Sequence, residues 1–262
     1  SSLPQAIVLS ILIPVRNEAA NLRIMVKMLQ ALVEVSYEVL VVYDFPEDDT
    51  VPETARLQTA HRNLRAIHND LGQGVANAVR AGVAAAEGEF VLIFAADEVG
   101  PVLAIDDMLD LIEQGCDFVS CTRYAHGGRR LGGSLIGGLL SRLANYLFYS
   151  LSSCGLTDAT TGIKLFRRSL FDQFTLTAKP VGWAVAFELS IRAQLADACL
   201  GEVPIISIDR LYGGKSTFRL GPWTVEYFKW FLWGLLQLRQ HHHGKRPEVA
   251  VGCGPNRTVA TS

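Results

Sequence analysis

The chain carries little net charge of either sign. Its 24 lysines and arginines stand against 26 aspartates and glutamates, for a net of −2, so bulk electrostatics argues against a nucleic-acid partner. Five cysteines (116, 121, 154, 199 and 253) form no CxxC pair and have no zinc-like spacing with histidine. That excludes an obvious disulfide framework and fits a reduced, cytosolic setting. No segment reaches the roughly 20 apolar residues that span a bilayer. The nearest, Pro222 to Leu238, contains Glu226 and Lys229. The first apolar run, Ala6 to Val15, lacks a basic leader and contains Pro14, so no signal peptide is read there. Internal repeats are also missing. What remains is a chain of 262 residues, 49% hydrophobic, enough for one large α/β domain or a domain with an appendage.

The first half alternates strand and helix signals. Ile7–Ile13, Tyr37–Val42, Leu64–Ile67, Glu89–Phe94 and Phe118–Cys121 are short apolar runs that read as strands. Between them, Asn21–Leu32, Thr50–His61, Gln73–Ala86 and Val102–Glu113 carry apolar residues at helical spacing. This alternation predicts a mostly parallel sheet with helices on both faces. The second half is less regular. Leu131–Leu151 and Ala184–Leu195 read as helices, and Gly162–Phe166 and Val203–Ile208 as strands. A basic, glycine-containing loop follows, Asp209 to Arg219. Three units are expected: an α/β domain over 1–219, an amphipathic membrane-interface or oligomerisation helix over 220–240, and a disordered tail over 241–262. The histidines at the head of that tail read equally as a metal-ligand set, a tag remnant or plain tail.

Acidic residues follow the strands where ligands of open α/β sheets bind. In VYDFPEDDT, Asp44 and Asp48 suit a ligand or a braced loop, and Asp49 suits a helix cap. Asp97 ends the run VLIFAAD. It is either a metal ligand, since Mg²⁺ takes oxygen donors and keeps several waters, or a cap for the helix at Pro101. Gly72 and Gly74 open a helix, a weak phosphate-loop pattern by itself. Arg123, Arg129, Arg130, Arg142, Arg210, Lys215 and Arg219 offer cations for phosphates; a solvated surface accounts equally well for half of them.

Together these pieces resemble a family 2 glycosyltransferase of GT-A fold, nearest to the polyprenyl-phosphate sugar synthases of the dolichol-phosphate mannose synthase type. The resemblance covers roughly residues 7 to 219. It rests on IPVRNEAANL, VYDFPEDDT, GQGVANAVRAG, CTRYAHGG, LTDATTGIKLFRR and EVPIISIDRLYGGKS, six matches in the family's order. It implies an inverting transfer of a sugar from a nucleoside-diphosphate sugar to a polyprenyl phosphate. Pro14, Val15, Arg16, Glu18, Asp44, Ala96 and Asp97 would face the nucleotide. Asp97 would hold a Mg²⁺ or Mn²⁺ ion. Arg123, Ser141, Arg210 and Lys215 would hold phosphates, and Asp158 would orient the acceptor or brace an arginine. Trp183 and Glu188 fall in a segment like the family's Trp…Phe-Glu helix. The chain departs from the pattern at Tyr43, Ala95, Val99 and Gly137, and in the order of Lys215-Ser216; Ala95 replaces the first carboxylate of Asp-x-Asp.

The nucleophile in such a reaction is already anionic, so positioning and charge neutralisation replace a strong general base. A polyprenyl acceptor also implies contact with a membrane. Leu131–Leu151 and the aromatic segment Trp223–Leu238 suit a helix in the interface, or an ordinary core or oligomer face. Family members often carry transmembrane helices after the catalytic domain. The chain stops short of such a segment, so attachment is expected to be peripheral, on the inner face of the membrane, or through a homo-oligomer. Two alternatives stay open: transfer to a non-lipid acceptor, and a non-catalytic nucleotide-sugar binder.

Overall fold

A computed structural model of the protein describes residues 8–98, 100–132, 135–208 and 220–253. In chain order the strands are β1 (Leu9–Val15), β2 (Tyr37–Tyr43), β3 (Leu64–His68), β4 (Phe90–Ile93), β5 (Phe118–Thr122), β6 (Arg129–Leu131), β7 (Lys164–Arg167), β8 (Leu200–Pro204), β9 (Ile206–Ile208) and β10 (Val249–Val251). The helices are α1 (Ala19–Leu32), α2 (Thr50–Gln58), α3 (Val75–Ala85), α4 (Ile105–Glu113, entered through a 3₁₀ turn at Gly100–Ala104), α5 (Leu135–Ser152), α6 (Arg168–Phe171), α7 (Ala184–Leu195) and α8 (Leu220–His241). Eight strands make one sheet in the order β10-β8-β5-β7-β4-β1-β2-β3, and β6 pairs with β9 in a separate ribbon. All pairings are parallel except those of β7, which is antiparallel to β4 and β5. The fold is the mostly parallel α/β architecture expected.

Both faces of the sheet are covered, as parallel strands require. Leu9, Ile11 and Ile13 of β1 pack with Leu22, Met25 and Leu29 of α1 and Met108 of α4. Leu12, Leu40 and Val42 face the other way, onto Val79 of α3 and a second core built with Phe148 of α5, Phe187 of α7 and Trp230 of α8. Each such buried side chain contributes roughly 1.5–3 kcal/mol.

Three expectations need correction. The first strand, read as closed by Pro14 after Ile13, runs on to Val15, and Pro14 pairs with Val42 inside β1. The proline is tolerated because β1 meets β4 only as far as Leu12–Ile93, so no ladder partner is missed. The strand read over Val203–Ile208 is two strands. At Ile205 the chain leaves the sheet: Ile205 N–H bonds to Thr122 O, and Ile205 O accepts Arg129 N–H, which hands β9 to β6. The segment over 220–240 is helical, as α8 (Leu220–His241). α8 packs on α7 and α5 and buries Trp230, Leu238 and Glu226. The segment over 241–262 is not uniformly structureless, because β10 adds to the sheet edge beside β8. Arg246 anchors that return, donating from Nε to Cys154 O at 2.9 Å and from Nη2 to Tyr149 O at 2.7 Å.

Candidate active site at the carboxyl edge of the sheet

Asp44, Asp97 and Arg123 follow β2, β4 and β5. These strands run the same way, so all three residues stand at one edge. The reversed β7 completes this edge. Its first residue, Lys164, lies between Ile93 and Ser120, so the chain enters β7 from the carboxyl edge and carries residues 157–161 past Arg123. That is how Asp158, 35 residues away in sequence, reaches the arginine.

Arg123 and Asp158 form a two-pronged ion pair, Nε to Oδ2 at 2.7 Å and Nη2 to Oδ1 at 2.9 Å. The Arg123 N–H also donates to Asp158 Oδ2 at 3.2 Å. Asp158 is wholly buried. Burial opposes its ionisation, but Arg123 and Lys164 hold its carboxyl below the ordinary carboxylate range. Asp158 is therefore a brace for the guanidinium and has no oxygen facing solvent. Arg123 Nη1 makes no hydrogen bond among the described residues and is the end left for an anionic oxygen. Arg123 Nη2 also donates to Thr160 Oγ1 at 3.3 Å, and Asn145 Nδ2 of α5 donates to the same oxygen at 2.8 Å. Tyr124 O–H donates to Ser141 Oγ at 2.8 Å. Ser141 thus sits beside Arg123 through Tyr124, with Asn145 one turn on. Tyr227 of α8 is near enough to feel the Arg123 charge.

Beneath this network lie two more ionisable groups. Lys164 is wholly buried and donates to Ser120 Oγ at 2.7 Å; burial pushes its ammonium down to about 8. Glu202 of β8 accepts from Thr157 N–H and O–H and from Asp158 N–H. Burial pushes its carboxyl up to about 7.

At the other end of the edge the carboxylates hold loops. Asp44 Oδ1 accepts Asn69 Nδ2 at 2.7 Å and Oδ2 accepts Gly74 N–H at 2.9 Å. This pins the glycine loop that opens α3. Gly74 has φ 114°, and a Cβ there would lie 2.5 Å from Pro180, so its use is close packing against the 178–182 loop. Asp48 Oδ1 accepts the N–H groups of Asn17 and Thr50, while its buried Oδ2 makes no hydrogen bond. Asp49 does not cap its own helix; it accepts Ala19 N–H, the first of α1. Glu18 N–H donates to Thr50 Oγ1, and its carboxylate accepts Asn21 Nδ2. Pro14 and Val15 end β1, and Arg16 is exposed with its guanidinium over the Phe45 ring.

Asp97 is different. It is half-buried after the buried Ala96, and its carboxylate makes no hydrogen bond or ion pair among the described residues. The cap reading thus finds no bond to support it. Its neighbour Glu98 bonds Ser207 of β9 and acts electrostatically on Arg123. One free, half-buried carboxylate is a hard oxygen donor, so the residue fits a Mg²⁺ or Mn²⁺ ion whose remaining ligands come from phosphate and water. Glu188, wholly buried, braces the 177–178 backbone and Arg192, and Trp183 packs on Gly162. Arg210, Lys215, Arg219 and Val99 lie outside the described residues. The sequence reading did not single out Tyr124, Asn145, Thr160 or Glu202 as partners. Tyr124, Thr160 and Glu202 lie inside quoted motifs, whereas nothing local marks Asn145.

The sequence profile described as Glycosyl transferase family 2 matches residues 10–175. A dolichyl-phosphate hexose transferase of Haloferax volcanii is 33% identical over 162 residues, 60% of this chain and 65% of that protein. A dolichol-phosphate mannosyltransferase of Pyrococcus furiosus is 25% identical over 242 residues, 84% of this chain and 64% of that protein. The chain thus spans a little under two thirds of each relative's length. Among solved structures, glucosyl-3-phosphoglycerate synthase of Mycobacterium tuberculosis, crystallised with Mn²⁺, uridine diphosphate and phosphoglyceric acid, superposes with a TM-score of 0.64 at 19% identity. That superposition covers 87% of this chain and 78% of that one. A Mg²⁺ and uridine diphosphate complex of the same enzyme superposes equally well, also at 0.64.

Proposed function

Because the chain belongs to glycosyl transferase family 2, we propose that it moves a sugar from a nucleoside-diphosphate sugar to the phosphate of a polyprenyl lipid, working peripherally at the inner face of a membrane. The reading is carried by one observation about α5. Its Ser141 and Asn145 turn to the Arg123 network, while Leu139, Leu140, Leu143 and Leu147 stand exposed. Leu140, Leu143, Ala144 and Leu147 line an apolar groove with Phe228 and Phe231 of α8. An acceptor with an anionic head and an apolar tail meets both surfaces at once. No helix of the described residues is long and apolar enough to cross a membrane; these exposed side chains would make the contact with the lipid.

In this reading an oxygen of the lipid phosphate attacks the anomeric carbon from the face opposite the diphosphate. The new C–O bond forms as the bond to the diphosphate breaks, inverting the centre. The nucleophile carries its own charge, so no residue is required to remove a proton. Arg123, locked by Asp158 and Thr160, presents Nη1 to an anionic oxygen without reorganising. Asp97 would hold Mg²⁺ or Mn²⁺, the cofactor also present with the structural neighbours; when bound, that ion supplies Lewis-acid stabilisation of the leaving diphosphate. Arg210 and Lys215 are proposed to add positive charge from the loop before α8. Pro14, Val15, Arg16, Glu18 and Ala96 are proposed to line the nucleotide side, with Asp44 shaping it through the glycine loop.

The test is a panel of nucleotide sugars with Mg²⁺ or Mn²⁺, with and without undecaprenyl phosphate, read as released nucleoside diphosphate. Release that needs the lipid phosphate supports the reading. Release that needs phosphoglyceric acid instead would make the acceptor soluble, and silence over the whole panel would leave a nucleotide-sugar binder.

A further inference from the structure

A second group of metal-ligating side chains sits at the opposite edge of the sheet. Asp197 lies in the turn between the end of α7 and the start of β8, and His241 and His242 stand at the end of α8. One ligand atom from each of the three lies within 4.8 Å of the others. His241 Nε2 is already 2.8 Å from Asp197 Oδ1, and the two imidazoles meet edge to face with centroids 4.8 Å apart. The ligands belong to two separate segments, brought together by the packing of α8 on α7.

We propose that Asp197, His241 and His242 bind a divalent transition-metal ion, with Zn²⁺ the best fit. Three observations carry this. The first is the donor set. Two imidazole nitrogens and a carboxylate oxygen, with water in the fourth place, suit four-coordinate Zn²⁺ at about 2.0–2.2 Å. Imidazoles are poor ligands for Mg²⁺, which prefers oxygen. The site is thus chemically distinct from the one at Asp97. The second is a missing partner: His242 Nε2 is buried and makes no hydrogen bond. A buried polar atom left unpaired is costly, and direct coordination of that ring nitrogen to a metal would satisfy it. The third is the field. α7 ends at Leu195 and α8 at His241, so two helix C-termini converge here, and their partial negative charge favours a cation. Bound there, the ion clips the end of α8 to the turn before β8, just ahead of the return that forms β10.

The experiment uses the full chain, stripped with chelator and titrated with ZnCl₂ while Tm is followed. Co²⁺ is then added to fresh protein and its visible absorption recorded. The expected result is one ion per chain and a rise of about 5 °C or more at a hundredfold excess over Kd. Co²⁺ should give the intense visible bands of a tetrahedral site, and Mg²⁺ should produce neither signal. Asp197→Asn and His242→Ala should each weaken Zn²⁺ at least tenfold, while His243→Ala and Asp97→Asn leave the response intact. Asp197 is exposed, so the amide variant keeps the fold, and circular dichroism of each metal-free variant checks this. Binding that survives Asp197→Asn and His242→Ala together would mean that the histidine run acts alone, and would overturn the proposal. So would the absence of any Zn²⁺ response, or its loss in Asp97→Asn.

Discussion

Both halves of the sheet bury carboxylates, Glu38, Asp48 and Glu53 on one and Asp158, Glu188 and Glu202 on the other. They differ in what their acidic groups hold and in how much apolar surface they expose. On the β1–β4 side, aspartates stand at strand ends and serve nearby backbone N–H groups: Asp44 on Gly74, Asp48 on Asn17 and Thr50, Asp49 on Ala19. Large apolar side chains there are mostly covered, with Leu71 and Leu103 the exposed ones. On the β5–β8 side, Asp158, Lys164, Glu188, Glu202 and Glu226 are buried. There, leucines of α5 and residues Val225, Phe228, Leu232 and Leu236 of α8 face outward. Buried charge is expensive unless paired, and exposed apolar area marks a surface that meets something other than water. Under the proposed function, the first half would serve the nucleotide, and the second would hold a fixed cation next to an apolar surface.

The largest effect that would sharpen this contrast is at Asp158. Replacing it with alanine leaves Arg123 and Lys164 buried without their shared counter-charge. The expected loss is about 3–5 kcal/mol, read from urea denaturation. An equally disruptive Asp44→Ala would erase the distinction, since Asp44 is only half-buried and its partners are loop groups that can turn to water.

Asp97→Asn is the next test. With no bond to lose, stability should stay within about 0.5 kcal/mol, while transfer falls at least about 10²-fold. Released nucleoside diphosphate at saturating metal measures it. Unchanged turnover would remove the metal from Asp97.

Glu202 gives a pH signature. Its carboxyl is raised by burial to about 7 from an ordinary value of 4.5. Between those values the unfolded chain releases the proton while the native one keeps it, so stability falls as pH rises from about 4.5 to 7 and is flat on either side. At about 1.4 kcal/mol per unit, the loss over the whole window is about 3 kcal/mol. In Glu202→Gln the amide oxygen still accepts the two N–H groups, and this slope should vanish. Denaturant midpoints at pH 5 and pH 8 decide it.

The β1–β5 half was legible because strands with alternating helices leave a strong local pattern, and α7 was read at its true ends, Ala184 and Leu195. Apart from α7, the other half was less legible. β6, β9 and β10 are three residues each and exist only through partners far along the chain. Pro14 looked like a stop because its freedom from the β4 ladder is a tertiary fact. At the site, Arg123 and Asp158 were both named, but their pairing depends on β7 running backwards. Thr160 and Asn145 join that pair through contacts no spacing rule reports. Asp44 was read with ligand and brace both open, and the bond to Gly74 N–H makes it a brace.

A small effect on stability, and the sharpest test of the contrast, lies on the outward face of α5. Leu139 is mostly in solvent and Leu143 about half, so Leu139→Ser and Leu143→Ser should each change stability by no more than about 1 kcal/mol. If that face dips into lipid, each leucine gives up part of the roughly 1.5–3 kcal/mol that full burial is worth. The double variant should then lose about tenfold or more in partition onto vesicles, measured by sedimentation. Turnover with a short, water-soluble prenyl phosphate should stay near the unmodified level, because Ser141 and Asn145 lie on the other face of the helix. Leu71→Ser with Leu103→Ser, on the opposite half, should leave partition unchanged. Equal losses from both pairs would mean general stickiness. Loss of a dimer in place of vesicle binding would assign the face to a second copy of the chain.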